Sequence, residues 1–317
     1  MIEILLKNEE IIKVKNTDEI SEQDLDFYVM QFIDYSDKET DWAKTRFGLD
    51  LSIIEHYEDI EISSHFAASE NQVSFHFSIP YYDKEKNITE TPVFFIVSAS
   101  NLFFFSNSDI DNFINKTYAY KFSKLHPFKD LRQIFKFQIE FISDYYADMT
   151  ESEAKKIKTL TNTILLKKEF SNEVMDIITR YRFNNLLLKE SLIETTRVFH
   201  LYKKSSWEQK IDIRQTIESE LTDLAVISDY IQFNFDRLAD LKENVSNKID
   251  LEQNYIFKML TVVTVCISLP TLIAGVYGMN FEKMPELKTQ YGYPIVVIAM
   301  LISAVLPFMY FKRKKWI

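Results

Sequence analysis

Residues 257–277 read FKMLTVVTVCISLPTLIAGVY, and residues 294–311 read PIVVIAMLISAVLPFMYF. The first run carries a single charge, Lys258, one residue from its start, where a long side chain can reach back to water. As a helix its 21 residues extend about 31 Å, which matches a hydrocarbon core of about 30 Å. The second run has 18 residues and no charge. A buried core helix can have the same composition, but two such runs joined by a short polar loop predict two membrane spans. Lys312, Arg313, Lys314 and Lys315 follow the second run, then Trp316. Clustered Lys and Arg stay on the cytoplasmic side and Trp favours the interface, so both termini are expected in the cytoplasm and loop 278–293 outside.

Upstream the chain turns helical for a long way. No Gly or Pro occurs between Pro127 and Pro270. From Leu221 the positions Leu224, Ser228, Ile231, Phe235, Leu238, Lys242, Val245 and Ile249 alternate in threes and fours, the spacing of a coiled-coil seam. A helix from about Ser205 to Tyr277 would be more than about 100 Å long and would need partners, which the seam could supply. Two helices are expected before it, over about 127–168 and 171–201, with Ser171 as N-cap and Glu173 in the first turn of the second. Residues Lys203–Ser206 read as the turn into the stalk.

The first 120 residues differ in pattern. Val73, Phe75, Phe77 and Ile79 alternate with polar residues, as in a half-buried strand, and 92–98 and 102–106 are short and rich in Val and Phe, as buried strands are. Helical segments are expected at 38–62 and 108–121.

Composition narrows the function. Lys+Arg is 37 and Asp+Glu is 47, a net charge of −10, which argues against a nucleic-acid partner and is compatible with attracting cations. Such an acidic excess also simply solvates a surface. One cysteine, Cys266, leaves no disulfide framework within the chain and no Cys-rich metal site. The first residues lack the basic start and apolar stretch of a signal peptide, so the first domain is expected in the cytoplasm. No Walker-type loop and no HExxH occur, and His56, His65, His76, His126 and His200 show no ligand spacing, so neither an enzyme nor a coupled ATPase is expected.

The first span carries a second pattern. From Asn254, steps of three and four reach Phe257, Thr261, Thr264, Ser268, Thr271, Gly275 and Gly278. All but Phe257 are small or polar, while the other positions are mostly Val, Ile and Leu. Such a stripe can pack helices closely, bond back to its own backbone, or line a water-filled path repeated around a symmetry axis. Asn254 continues it beyond the span, which favours the path. Neutral amide and hydroxyl groups suit an ion that keeps its water, as Mg²⁺ does.

At the outer end of the span stand Tyr277-Gly278-Met279-Asn280-Phe281, then Glu282, Met284-Pro285-Glu286-Leu287 and Gly292-Tyr293-Pro294. This constellation resembles the CorA family of magnesium and cobalt channels, with close likeness over about residues 250–317. The tail Tyr310–Trp316 is also similar to bacterial members. The resemblance implies a funnel-shaped homopentamer of α+β cytoplasmic domains with long helices, followed by two transmembrane helices. Its expected parts are an α/β domain over 1–125, a helical hairpin over 126–204, a stalk helix over 205–256, a pore-lining span over 257–277, a periplasmic loop over 278–293, a second span over 294–311 and a basic tail over 312–317.

The same resemblance makes Gly278, Met279 and Asn280 a selectivity filter, with five Asn280 carboxamides on the water shell of Mg²⁺; a helix C-cap is the structural alternative for Asn280. It makes Asn254 a polar ring at the cytoplasmic end, Thr271 and Gly275 further pore-lining positions, and Leu260 a hydrophobic constriction. The gate's position stays open, because Ser268 stands where some relatives carry a bulky apolar residue and Phe257 also varies. Glu282 and Glu286 would attract cations to the outer loop. Lys312, Arg313, Lys314 and Lys315 would ring the cytoplasmic mouth, or simply anchor the tail. The family also uses cytoplasmic acidic residues as a divalent sensor. Glu218, Glu220 and Asp223 occupy that part of the stalk, with a solvated helix face as the alternative. Mg²⁺ is thus expected as the transported and regulatory ion, with Co²⁺ or Ni²⁺ as further cargo, no resident cofactor, and lipid, divalent cations and its own copies as partners in the bacterial inner membrane. The rivals are a zinc transporter on the same scaffold and a membrane-anchored sensor that does not conduct.

Overall fold

The computed structural model describes residues 1–55, 66–83, 87–98, 100–107, 130–167, 170–280 and 284–316. The chain falls into two compact units, Met1–Lys167 with Asp176–Asp240, and Lys168–Met175 with Leu241–Ile317. The expected helix at 108–121, and His56, His65, His126, Phe281 and Glu282, lie outside the described residues.

The first unit is built on a seven-stranded sheet. Its strands are β1 (Ile2–Leu6), β2 (Ile11–Val14), β3 (Phe27–Ile33), β4 (Phe66–Ala68), β5 (Gln72–Tyr82), β6 (Ile88–Ser98) and β7 (Leu102–Ser106), in the order β2-β1-β3-β7-β6-β5-β4. Neighbours are antiparallel except β3 and β7, which run parallel with Val29 opposite Leu102. Strand β7 shows why short Phe-rich runs form here. Leu102 and Phe104 enter a core with the long helices, and Phe103 and Phe105 enter a second core on the other face. Both faces are covered, so successive residues are all apolar. The same holds for β5: Ser74 and His76, expected on a wet face, are buried, and His76 stacks on Phe94 at 4.7 Å. The half-buried strand is therefore corrected to a strand covered on both sides.

Helix α1 (Asp37–Phe47) packs on the second core through Ala43, Trp42 and Phe47. The Glu39 carboxylate accepts from the Ser36 N–H at 2.7 Å and from its hydroxyl, which closes the N-terminus. The helix ends at Gly48, whose φ of 67° is open to glycine and strained for other residues. The continuous helix expected over 38–62 is thus interrupted, and α2 is a single turn over Ser52–Glu55.

Helices α3 (Leu131–Lys167) and α4 (Asn172–Lys204) form the expected pair. The Ser171 hydroxyl accepts from the Val174 N–H at 3.4 Å, as an N-cap does. The stalk does not start at Ser205. A single turn, α5 (Trp207–Lys210), is followed by an extended Ile211, and the long helix α6 runs Arg214–Tyr277. Tertiary contacts break the helix here. Trp207 is buried and donates its indole N–H to the Ser69 carbonyl at 2.6 Å, and the Tyr202 hydroxyl donates to the Ile211 carbonyl at 2.7 Å. Helix α6 has 64 residues, about 96 Å.

The seam is corrected as well. Leu224, Ile227 and Ile231 are closed in the same core as Ile134, Phe135 and Phe141 of α3 and Leu188 and Leu192 of α4. The chain itself supplies the partners. Each fully buried Leu or Ile stabilises by about 1.5–3 kcal/mol. Asn234 lies in the same buried row and donates from Nδ2 to Asn185 Oδ1 at 3.1 Å.

In the second unit, α6 continues to Tyr277, a 3₁₀ turn spans Pro285–Lys288, and α7 runs Gly292–Arg313. Of the apolar windows in α6 and α7, 6% and 0% are buried. Such apolar helices left uncovered by their own chain fit membrane spans and are unlike the buried core helix of a soluble protein.

Candidate functional site

Asn254, Phe257, Thr261, Thr264, Ser268, Thr271 and Gly275 stand on one face of α6, with Gly278 just past its end, and all are exposed. Leu260 is exposed beside them. The upper part of this face is a shallow groove of about 780 Å³ that gathers Thr264, Ser268, Thr271, Gly275 and Met279 between Val263, Ile267, Leu272 and Val276.

The hydroxyls on the stripe are committed. Thr261 Oγ1 donates to the Phe257 carbonyl, Thr264 to Leu260 and Thr271 to Ile267, each at 2.8 Å, and Ser268 donates to Val265 at 3.3 Å. A hydroxyl has one proton and two acceptor lone pairs. With the proton bound to its own helix, each oxygen presents only acceptors outward, and those of Thr264, Ser268 and Thr271 lie along the groove. The back-bonding and the path are therefore compatible readings of the same residues.

The helix ends at the filter motif. The Gly278 N–H donates to the Ala274 carbonyl at 2.9 Å and the Met279 N–H to Val276 at 3.4 Å. A Cβ at Gly278 would lie 3.0 Å from the Ala274 oxygen, tighter than side chains ordinarily pack, whereas Gly275 has open space around it. Asn280 follows, exposed. Glu286 lies in the 3₁₀ turn over Pro285–Lys288. At the other end of the membrane unit, Lys312, Arg313, Lys314 and Lys315 are all exposed, and Trp316 folds back on Phe311 with ring centroids 5.1 Å apart.

The three stalk acids part company. Glu218 is exposed and pairs with Lys203 and Arg214, both at 3.1 Å, and these bases hold its carboxyl below the usual range. Glu220 turns inward, is 3% exposed and accepts from the Ser143 N–H at 3.1 Å; burial pushes its pKa up to about 7, with Asp223 and Asp144 adding to the rise. Asp223 is exposed. Among the described residues no group of three or more His, Cys, Asp or Glu is placed to hold a metal.

A half-buried carboxyl on β6 had no signature in the sequence. Burial raises Glu90 to about 7; its Oε2 accepts from Ser78 at 3.1 Å, and Glu194 and Glu190 lie near enough to repel it. Close by, the buried Tyr146 hydroxyl bonds Ser191 and Thr195, and Ser191 bonds the Ser78 carbonyl. The packing of α3 and α4 on β5 and β6 brings these groups together.

Comparison with known proteins agrees with this architecture. The family described as CorA-like Mg²⁺ transporter protein matches residues 26–313. A magnesium transport protein CorA of Wolinella succinogenes is 28% identical over 289 residues, covering 89% of this chain and 88% of the relative. One from Campylobacter jejuni strain RM1221 is 29% identical over 285 residues, 87% of each chain. The complete structure of the CorA magnesium transporter from Methanocaldococcus jannaschii superposes with a TM-score of 0.78 at 20% identity, covering 100% of this chain and 99% of that one. With a seven-stranded sheet, paired long helices, a helix that continues into an uncovered apolar span, and a family match over most of its length, this chain belongs to the CorA-like Mg²⁺ transporter family.

Proposed function

We propose that this chain is a subunit of an oligomeric channel that passes hydrated Mg²⁺ along the α6 stripe, from the outer loop into the cytoplasm. The observation that carries the reading is the direction of the stripe hydroxyls. Waters bound to a cation point their hydrogens outward and need acceptors. Thr261, Thr264, Ser268 and Thr271 offer oxygen acceptors because their protons are bound to the helix. Neutral acceptors hold the water shell without replacing it, as suits an ion that dehydrates reluctantly. Gly278, Met279 and Asn280 act as the filter, with the Asn280 carboxamide toward the ion's waters. Asn254 repeats that amide at the cytoplasmic end, and Leu260 or Phe257 narrows the path by dewetting. Influx is driven by the membrane potential, about 4.6 kcal/mol per 100 mV for a divalent ion at about 2.3 per charge.

The complex is a homopentamer of the bacterial inner membrane with both termini in the cytoplasm. The basic tail keeps to the cytoplasmic side, and Glu282 and Glu286 draw cations to the outer loop. Co²⁺ or Ni²⁺ also passes. Cytoplasmic Mg²⁺ closes the channel, and of the three stalk acids Asp223 is the best placed to meet it. Its carboxylate is exposed, while Glu218 is held by two bases and Glu220 is buried.

The test is Mg²⁺ influx into proteoliposomes loaded with a Mg²⁺-sensitive dye under an inside-negative potential, with Zn²⁺ as competing ion. Wild type is expected to admit Mg²⁺, and Asn280→Ala to lose it while eluting as the same oligomer. A folded wild type that admits no Mg²⁺, or admits Zn²⁺ in preference, overturns the proposal.

A further inference from the structure

Two apolar stripes of the first compact unit have no cover from their own chain. On α4, Phe183, Leu186, Glu190 and Ile193 follow one another in steps of three and four. On α6, Val226, Tyr230, Phe233 and Arg237 repeat that spacing. Such steps keep residues on one face of a helix. The six apolar and aromatic side chains of the two stripes are each between 41% and 63% exposed. At about 100° per residue, the α6 stripe stands about 120° around the helix from Leu224, Ile227 and Ile231, which are buried among α3 and α4. It is therefore a second apolar face, separate from the one that folding covers.

Contacts within the chain fix which residues share a level. Lys189 donates to Gln232 at 2.9 Å, Asn234 donates to Asn185 at 3.1 Å, and Lys203 pairs with Glu218 at 3.1 Å. Helices α4 and α6 thus run antiparallel, and the numbers of level residues total 419–421. A rotation about an axis moves nothing along that axis. If copies of the chain surround an axis that α6 follows into the membrane, the next copy's α6 stands at the same height as the chain's own. That is the one point at which the inference rests on the proposed function.

At this height the two stripes match residue by residue. Ile193 comes level with Val226, and Leu186 with Phe233, apolar against apolar. Glu190 comes level with Tyr230, whose hydroxyl can donate to a carboxylate. Phe183 comes level with Arg237, whose guanidinium lies 4.3 Å from the centroid of the Phe233 ring. Beside the stripes, exposed Arg182 comes level with exposed Asp240, a pair of opposite charge. A slip of two turns one way sets Glu190 against Asp223, and the same slip the other way sets Leu186 against Asp240, so the match is specific to the height that rotation imposes.

Two different surfaces that fit each other make a head-to-tail contact, and such a contact closes a ring. We infer that the α4 stripe of one copy packs on the α6 stripe of the next, antiparallel and at this level, and that this seam joins the copies outside the membrane.

The experiment uses the full chain in a Cys266→Ser background, which removes the one native thiol. Ile193→Cys with Val226→Cys, and separately Leu186→Cys with Phe233→Cys, are oxidised with copper phenanthroline and run on denaturing gels without reductant. Each matched pair is expected to lose its monomer band to a ladder that reaches the size of the native oligomer. Chains with one of these thiols are expected to stay monomeric on the gel, because a head-to-tail contact does not set a residue against itself. The crossed pair Leu186→Cys with Val226→Cys is about 12 Å out of level and is expected to stay monomeric as well. Dimers from a one-thiol chain, a crossed pair that links as well as the matched ones, or failure of both matched pairs to link overturns the inference. Light scattering of the undenatured protein and Mg²⁺ influx separate the two readings. An oligomer that conducts while neither matched pair links refutes only the seam, a ladder without conduction refutes only the channel, and a monomeric wild type refutes both.

Discussion

Replacing Glu220 by Gln should stabilise the protein above neutral pH and flatten its pH dependence. The carboxyl is 3% exposed, accepts from the Ser143 N–H, and has its pKa pushed up to about 7 from an ordinary 4.5. Below pH 4.5 it is protonated both folded and unfolded. Between 4.5 and 7 the folded state keeps the proton that the unfolded chain has released, so stability falls as pH rises, and above 7 the loss is complete. The difference of 7 − 4.5 = 2.5 units, at 1.36 kcal/mol per unit, sets a ceiling of about 3 kcal/mol; relaxation and residual hydration bring the expected effect to about 1–3 kcal/mol. Gln keeps an oxygen for Ser143 and removes the charge. In a domain of this size 1 kcal/mol moves Tm by about 2–4 °C. The assay is thermal unfolding of the detergent-solubilised full chain at pH 5 and pH 8. Glu220→Gln should match wild type within a degree or two at pH 5 and exceed it by several degrees at pH 8. Glu90 also titrates near 7, so some pH dependence should remain in the variant. A variant less stable than wild type at pH 8, or one with the full wild-type pH dependence, refutes the reasoning.

Two further outcomes follow from geometry already described. Gly278→Ala places a methyl 3.0 Å from the Ala274 carbonyl, and a filter displaced at a cost of about 1.4 kcal/mol should lower Mg²⁺ influx about tenfold with the oligomer unchanged on size exclusion. Asn234→Ala leaves the buried Asn185 oxygen without its 3.1 Å donor and should cost about 1–3 kcal/mol in denaturant unfolding, while adding Asn185→Ala should cost at least about 0.5 kcal/mol less than the sum of the single effects.

The membrane spans were legible because bilayer thickness fixes a length and the sequence meets it twice. The stripe was legible because helical periodicity assigns residues to faces without any knowledge of partners. What periodicity cannot give is the identity of the cover. The Leu224, Ile231 and Leu238 spacing correctly marked a face to be buried, but the same spacing serves a sister subunit or a helix of the same chain, and α3 and α4 claimed it at Leu224 and Ile231. Glu218, Glu220 and Asp223 look alike in sequence; a rotation of about 200° between the first two sends one to a pair of bases and the other into the core. The break at 211–213 was hidden because its cause, the docking of Trp207 on Ser69, lies 138 residues away. The parallel pairing of β3 with β7 was hidden for the same reason.

The closed seam also bears on how the molecule is made. Leu224, Ile227 and Ile231 are buried among residues of their own chain. The stability of that segment is then intramolecular and independent of how many copies are present. Folding of the sheet and long helices is first order in chain and need not wait for an encounter between subunits. A newly made copy can enter the bilayer with its water-exposed part already formed, leaving assembly to surfaces that folding has not used.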